Sequence, residues 1–334
     1  MIKLAGIYTI RDTSQPYYWD IVFDWEDQIS KTLAIPLISV GRRFDRIYKP
    51  DLSRKILNRL AIYKKLDEKF FTPSKYYLAF HIGPPGVYSF HCRKDVIPII
   101  IDFWKHENLK RLESILALNE IVFISSREVF EFLLQENTTL RLAHLGLSLP
   151  DKLLSPSKDI LKTYDLIQFG RQNEKMAEYV SRLLRDHPRI HYVYAENIEG
   201  KVNMISNHHG TLGEFLSRQS FLNLLMKTRI SLLSAPGLDK DRVRTGGFSP
   251  VTPRFLESAA CGCHLIGIYP QNSDFDYFDI NSVCSQPSDY ESFERLVLKL
   301  LSEKNPPDHS SFLRRHVTSL RAVELLKKIS SSNE

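Results

Sequence analysis

Residues 228–269 constrain the chain more than any other stretch. An apolar run, Ile230 to Leu233, reads as a short buried strand, and Pro236 and Gly237 stop it. A polar loop follows, carrying Arg242, Arg244, Gly246 and Gly247. Thr252 offers a side-chain oxygen at an N-cap, and Pro253 takes the first helical position, where its missing N–H costs nothing. Gly262 supplies a left-handed stop, so the helix is short. His264 to Tyr269 resumes as a second strand. The pattern is strand, glycine-rich basic loop, helix, strand. The start of such a helix gathers unpaired N–H groups and partial positive charge, so an anion belongs there. Arg244 and Arg254 add formal charge beside it. Glu257, one turn into the helix, is suited to accept hydrogen bonds from sugar hydroxyls rather than to meet a phosphate.

The residues around this unit alternate in the same way. Tyr164–Phe169 reads as a strand running into Gly170, Arg171 and Lys175, followed by a helix from Met176 to Arg185 and a strand over Ile190–Tyr194. Gly210–Glu214, with His208 and His209 before it, reads as a polar loop ahead of another helix. Gln271–Tyr277 reads as a turn-rich loop. Ser288 and Glu291 have capping-box spacing, which predicts a helix to about Lys304. Phe312–Ile329 reads as a last helix.

The first half also alternates. Strands are expected at Ile2–Tyr8, Ile35–Val40, Tyr76–Ile82, Val96–Ile101 and Glu120–Ser125. Helices are expected at about Asp20–Leu33, Leu109–Leu118 and Arg127–Gln135, the last capped by Ser126. Strands and helices at this spacing argue a parallel sheet covered on both faces. Loops after parallel strands collect at the carboxyl edge of the sheet, where ligands bind. Arg11 and Asp12 follow the first strand there. His81 and Asp102 end two others, and either could be the base that activates an acceptor hydroxyl. His91, His106 and His144 have no spacing that suggests a metal. The stretch Leu149–Lys158, rich in Pro, Ser and Lys, marks a domain boundary.

The segment Arg254-Phe255-Leu256-Glu257-Ser258-Ala259-Ala260-Cys261-Gly262 resembles the nucleotide-sugar segment of GT-B glycosyltransferases, in the bacterial group 1/group 4-like and CgeB-like branches. The resemblance implies an α/β fold of two Rossmann-like domains facing each other across a cleft, with a C-terminal helix crossing back to the first. Residues 1–150 would be the acceptor-side domain, 163–310 the nucleotide-sugar domain, and 311–334 the returning helix and polar tail. It implies a donor site of Gly170, Arg171, Lys175, Arg244, Gly246, Gly247, Thr252, Arg254 and Glu257, with the glutamate on the ribose and the basic residues on the diphosphate. The activity implied is sugar transfer from a nucleoside-diphosphate donor to a hydroxyl of a glycan or lipid-linked acceptor, in bacterial surface polysaccharide synthesis. Neither a cofactor nor an obligatory metal is implied, and Asp274-Phe275-Asp276 follows the binding helix where a metal signature would not stand. One position departs from the pattern: many retaining members carry a glutamate eight residues before the ribose glutamate, and here Ser249 stands there.

Composition narrows the class without naming it. Hydrophobic residues are 43% and charged residues 25%, normal for a globular chain. No apolar run approaches a membrane span of about 18 residues, and the opening residues read as a strand rather than a signal peptide. The four cysteines, Cys92, Cys261, Cys263 and Cys284, have neither zinc nor disulfide spacing, which fits free thiols in a reducing cytoplasm. Formal net charge is +6. The most basic stretch, 42–75, holds eleven Lys/Arg against four Asp/Glu, with Leu52, Ile56, Leu60, Tyr63 and Leu66 at helical spacing. It reads either as a helix with a solvated basic face or as a contact to an anionic membrane, the inner face of the plasma membrane. Two other classes stay open: a GT-B-like nucleotide-binding or scaffold protein without chemistry, and a basic nucleic-acid-binding protein. The chain has no recognisable nucleic-acid motif, so nucleic acid is not an expected partner.

Overall fold

The computed structural model describes residues 2–13, 15–40, 73–86, 89–103, 109–154, 160–170, 172–215 and 217–331. The basic stretch with its expected helix lies almost wholly outside the described residues, as do Arg171 and His106. Two compact units divide the chain: Met1–Leu147 with Thr318–Glu334, and Ser148–Val317.

The first unit is built on β1 (Leu4–Thr9), β2 (Leu37–Ser39), β3 (Tyr76–Ile82), β4 (Val96–Ile101), β5 (Val122–Ile124) and β6 (Leu142–His144), with α1 (Asp20–Leu33), α2 (Leu109–Leu116) and α3 (Arg127–Gln135) between them. The strand order is β2-β1-β3-β4-β5-β6, and every pairing is parallel. All six residues of β4 are buried, as an apolar run in the middle of a covered parallel sheet should be. Ser126 caps α3 as expected, its hydroxyl accepting from the Val129 N–H at 3.2 Å. Strand β6 was not legible in the sequence; it is three residues long.

The second unit contains β7 (Tyr164–Gln168), α4 (Glu174–Asp186), β8 (Tyr192–Ile198), β9 (Lys201–Ser206), β10 (Gly210–Glu214), α5 (Arg218–Met226), β11 (Thr228–Ser234), α6 (Pro253–Ala260), β12 (His264–Ile268), α7 (Ser273–Phe278), β13 (Cys284–Ser285), α8 (Tyr290–Ser302) and α9 (Ser310–Arg314). The sheet order is β10-β9-β8-β7-β11-β12-β13. Strands β7, β8, β11, β12 and β13 are parallel, whereas β9 and β10 add an antiparallel edge. That edge corrects the reading of Gly210–Glu214 as a loop. Every residue of β10 is exposed, so no alternation marked it as a strand. The chain winds from β7 through α4 to β8 on one side, then returns through α5 to β11 on the other. The reversal between β7 and β11 is the topological switch point, where open α/β sheets take ligands.

Two cores cover this sheet. On one face Leu166, Ile230, Leu232 and Ile266 pack with Met176 and Leu183 of α4 and Phe293 and Val297 of α8. On the other, Ser231 of β11 and Ser258 of α6 share a hydrogen bond of 2.9 Å, and Phe255, Leu256, Phe221 and Leu225 are buried.

Three helix expectations change in detail. Asp289, not Ser288, caps α8, and its box partner is Ser292 rather than Glu291. Residues Ser273–Phe278 form a helix capped by Asn272, where a loop was expected. The last helix is broken: α9 ends at Arg314, and α10 (Thr318–Ser331) begins after Val317, which pairs with Leu149. In the first unit α10 buries Ala322, Leu325 and Ile329, and it packs on α1.

Candidate functional site

The loop between β11 and α6 is shaped by its glycines. Gly237 sits at φ +80°, and a Cβ there would lie 2.3 Å from the Phe248 carbonyl oxygen and 2.8 Å from both the Thr245 and Ser249 hydroxyls. The loop therefore folds back onto its own start, and only glycine fits at the closure. Gly246 and Gly247 also have positive φ, at 64° and 91°, and stand exposed beside Arg244 at the turn. Ser249, in the place of a carboxylate, is buried against Gly237. Asn272 donates to its carbonyl at 3.1 Å, tying the loop to the start of α7.

Helix α6 starts and stops where its residues say. Thr252 is the N-cap, in extended backbone, with Pro253 next. The Thr252 side chain makes no cap hydrogen bond, however, which corrects the reading that its oxygen would close the first turn. At the other end Gly262 is left-handed at φ +66°. Its N–H donates to the Ala259 carbonyl and the Cys263 N–H to the Ser258 carbonyl, the paired pattern that ends a helix at a C′ glycine.

Glu257 is 1% exposed and sits between two arginines. Arg218 Nε donates to Oε1 at 2.6 Å, and Arg254 Nη1 donates to Oε2 at 2.7 Å. Burial alone would raise the carboxyl pKa, but the charges and hydrogen bonds of Arg254 and Arg218 outweigh it and hold Glu257 below the usual carboxylate range. Both carboxylate oxygens expected to serve sugar hydroxyls thus already hold protein partners. Arg254 also lies over the rings of Phe221 and Phe169, at 4.2 and 4.8 Å. Its side chain remains 26% exposed, so it is the member of the triad that meets solvent.

Arg218 escaped the sequence reading, although a signal existed. It shares a helix face with Phe221, Leu222 and Leu225, all buried. An arginine on such a face needs a buried acid, and Glu257 is that acid.

At the end of β7, Gly170 is exposed at φ +83°. Asn173 caps α4, accepting from the N–H groups of Lys175 and Met176, and its amide donates to Asp239 of the β11–α6 loop at 3.2 Å. The two loops of the switch point are thus joined. Lys175 is exposed and turned aside: its Nζ donates to the Ser288 carbonyl at 2.9 Å and lies 5.4 Å from the Tyr179 ring centre.

In the first unit, His81 and Asp102 end the paired strands β3 and β4. His81 Nδ1 donates to the Gly83 carbonyl at 2.7 Å, which leaves Nε2 as the basic nitrogen. Burial holds its pKa below the usual histidine value. Its ring stands edge-on to His91, which burial and the neighbouring His81 push down to about 3. Asp102 is exposed, in left-handed backbone at φ +50°. Arg11, expected to line the ligand edge, instead clamps α1. It donates to Thr9 Oγ1, the Phe23 carbonyl and Glu26, and pairs with Asp27 at 2.8 Å. Among the described residues, no group of three or more His, Cys, Asp or Glu is arranged to hold a metal ion. No described helix is long and apolar enough to cross a membrane.

No family model matches the chain, and no curated protein matches it by sequence. Among solved structures it is similar to a UDP-N-acetylglucosamine 2-epimerase, at 13% identity over 98% of this chain and 96% of that one, with a TM-score of 0.47. It is similar to the Methanocaldococcus jannaschii UDP-GlcNAc 2-epimerase in complex with UDP-GlcNAc and UDP, at 12% identity over 98% and 99%, with a TM-score of 0.44. It is also similar to the spinosyn rhamnosyltransferase complexed with thymidine diphosphate, at 9% identity over 99% and 96%, with a TM-score of 0.34. At these identities the likeness concerns the fold, whose make-up of two parallel-sheet α/β units in one chain is GT-B-like on its own topology.

Proposed function

We propose that the chain is a glycosyltransferase that takes a sugar from a nucleoside-diphosphate donor and passes it to a hydroxyl of a glycan or lipid-linked acceptor in bacterial surface polysaccharide synthesis. The second unit holds the donor at the carboxyl edge of its sheet. The observation that carries this reading is the Arg218–Glu257–Arg254 triad at the start of α6, beside a basic loop with exposed glycines. Glu257 accepts one guanidinium bond on each oxygen and so fixes Arg254. Arg254, Arg244 and Arg171 then stabilise the charge that develops on the leaving diphosphate. For Glu257 to touch the ribose as well, the diol has to reach a carboxylate oxygen that Arg254 now covers. His81, with a free Nε2 lone pair, or Asp102 serves as the base for the acceptor hydroxyl.

Calorimetry tests the donor assignment. UDP, GDP, ADP and dTDP are titrated into the wild type, and the nucleotide that binds is compared with its nucleoside. Arg254→Ala and Arg244→Ala should each weaken the diphosphate about tenfold, close to 1.4 kcal/mol, and leave the nucleoside nearly unchanged. Equal losses for both ligands would move these arginines away from the phosphates.

Ser249 favours a second reading, a nucleotide-binding protein without transfer chemistry. It is packed under the loop against Gly237, so no carboxylate stands at that position. Nucleotide binding with no release of sugar from any nucleotide sugar would select that reading.

A further inference from the structure

Among the described residues of the second unit, the buried polar atoms without a hydrogen-bond partner include Gln168 Nε2 and Ser234 Oγ. Gln168 is 1% exposed. Buried polar groups in native proteins are nearly always paired, so each exception calls for an explanation. These two stand together in the topology. Gln168 is the last residue of β7 and Ser234 the last of β11, the two strands that flank the switch point.

Register places them on one face. Leu232 is the partner of Gln168 across the parallel pair, so their side chains point the same way. Ser234, two residues on, points with Leu232. That face is the one covered by α4, which starts six residues after the end of β7. The Tyr192 hydroxyl of β8 donates to Gln168 Oε1 at 2.8 Å. The oxygen end of the amide is therefore held toward β8, and Nε2 is the end left without a partner. Phe169, next along the chain, points to the opposite face and carries the Arg254 guanidinium. The ends of β7 and β11 thus carry Arg254 on one face, through Phe169, and the unpartnered amide and hydroxyl on the other.

We infer that Gln168 Nε2 and Ser234 Oγ form a polar floor that takes an oxygen of the nucleotide-sugar donor. The amide nitrogen only donates, and the hydroxyl donates or accepts. The group they recognise is an acceptor oxygen, from either a phosphoryl group or a hydroxyl of the transferred sugar. The inference rests on the donor reading above and adds the residues that seat the donor's non-nucleoside end.

Ser234→Ala is the informative variant, because it deletes a hydroxyl that makes no bond in the free protein. Its melting temperature should equal or exceed that of the wild type, whereas its affinity for the donor should fall about fivefold or more. Gln168→Met, which also loses the Tyr192 bond, is the second variant and is read at a temperature where circular dichroism shows it folded. Three ligands separate the sources of the oxygen: the nucleoside, its diphosphate and the corresponding nucleotide sugar. A loss for diphosphate and nucleotide sugar alike identifies a phosphoryl oxygen, and a loss confined to the nucleotide sugar identifies a sugar hydroxyl. Either upholds the inference. Wild-type affinity for all three ligands in both variants would overturn it while leaving the donor reading in place, and would mean that the two atoms serve a buried water. Absence of binding by the wild type to every nucleotide offered would overturn the donor reading and this inference together.

Discussion

Glu257 shows how a single residue can be legible as a site and still be misread in its partners. Its position one turn into a helix behind a basic loop was visible in the sequence. Its i, i+3 spacing to Arg254 is that of a pair on a helix surface, which contributes only about 0.2–0.5 kcal/mol. The structure buries the pair and adds Arg218, a contact 39 residues away in sequence that no local pattern encodes. Burial changes the energetics. Removing one member of a buried ion pair leaves the others charged and desolvated, which costs about 3–5 kcal/mol. Glu257→Ala should therefore lower folding stability by about 3 kcal/mol or more in urea denaturation, and Arg218→Ala should do likewise. A double variant, Glu257→Leu with Arg218→Met, should recover much of that loss, because the one charge left, on Arg254, is partly open to solvent. Wild-type denaturation midpoints in both single variants would mean that water reaches the triad freely. The candidate base is less well defined by comparison. His81 and Asp102 are legible from their places at strand ends, and the structure adds for His81 the Gly83 carbonyl that fixes its tautomer.

At the scale of elements, the loop after β1 is held by a device that gives the first unit a pH dependence. Glu26 on α1 is 1% exposed, and burial pushes its carboxyl up to about 7 in spite of hydrogen bonds from Thr9 and Arg11. A carboxyl with a raised pKa binds its proton more tightly when folded. Its contribution to stability is complete below the unfolded carboxyl range and is lost as pH rises through about 7. Glu26→Gln has no proton to lose. Denaturation from pH 5 to pH 8 should show the wild type losing its advantage over Glu26→Gln as pH rises; a constant difference would mean that Glu26 is ionised throughout. The same element carries a lesson in legibility. The 3.6-residue pattern of α1 and its span, Asp20–Leu33, were clear in the sequence, because an amphipathic helix repeats its signal over four turns. What Arg11 does with it was not, since a loop arginine looks alike whether it awaits a ligand or clamps a helix. Strands that alternate or run apolar were found, among them β3, β4, β7, β11 and β12. The exposed edge strand β10 and the three-residue β6 were missed because neither offers a period to read. The break between α9 and α10 was missed because apolar residues continue through it: Val317 is buried as part of a bridge to Leu149 rather than as a helix turn.

Across the whole molecule, the chain leaves the first unit after Leu147 and rejoins it at Thr318, so the second unit is an insertion in the sequence of the first. The two ends of the insertion are held side by side. Leu149 N–H donates to the His316 carbonyl at 2.8 Å, and Leu149 pairs with Val317 in a parallel bridge. Ends that meet are what an independently folding unit offers, since cutting there breaks few contacts of its own core. Residues 148–317 alone carry all seven strands of the second sheet, both of its cores, and each described residue of the proposed donor site. The first unit is less separable. It depends on α10, which buries Ala322, Leu325 and Ile329 and whose Lys328 Nζ donates to the His144 carbonyl. Ending the chain at residue 317 removes that cover and exposes apolar surface of the first unit, at roughly 25 cal/mol for each Å² returned to water. The expected outcome is asymmetric. Residues 148–317 should fold cooperatively by circular dichroism and bind the nucleoside diphosphate within about threefold of the affinity of the full chain. Residues 1–317 should bind it equally well, yet show a lower-melting transition and increased binding of a hydrophobic dye from the first unit. If residues 148–317 fold but do not bind the diphosphate, the donor site requires residues of the first unit. If they do not fold, the insertion is not an autonomous unit, despite its paired ends.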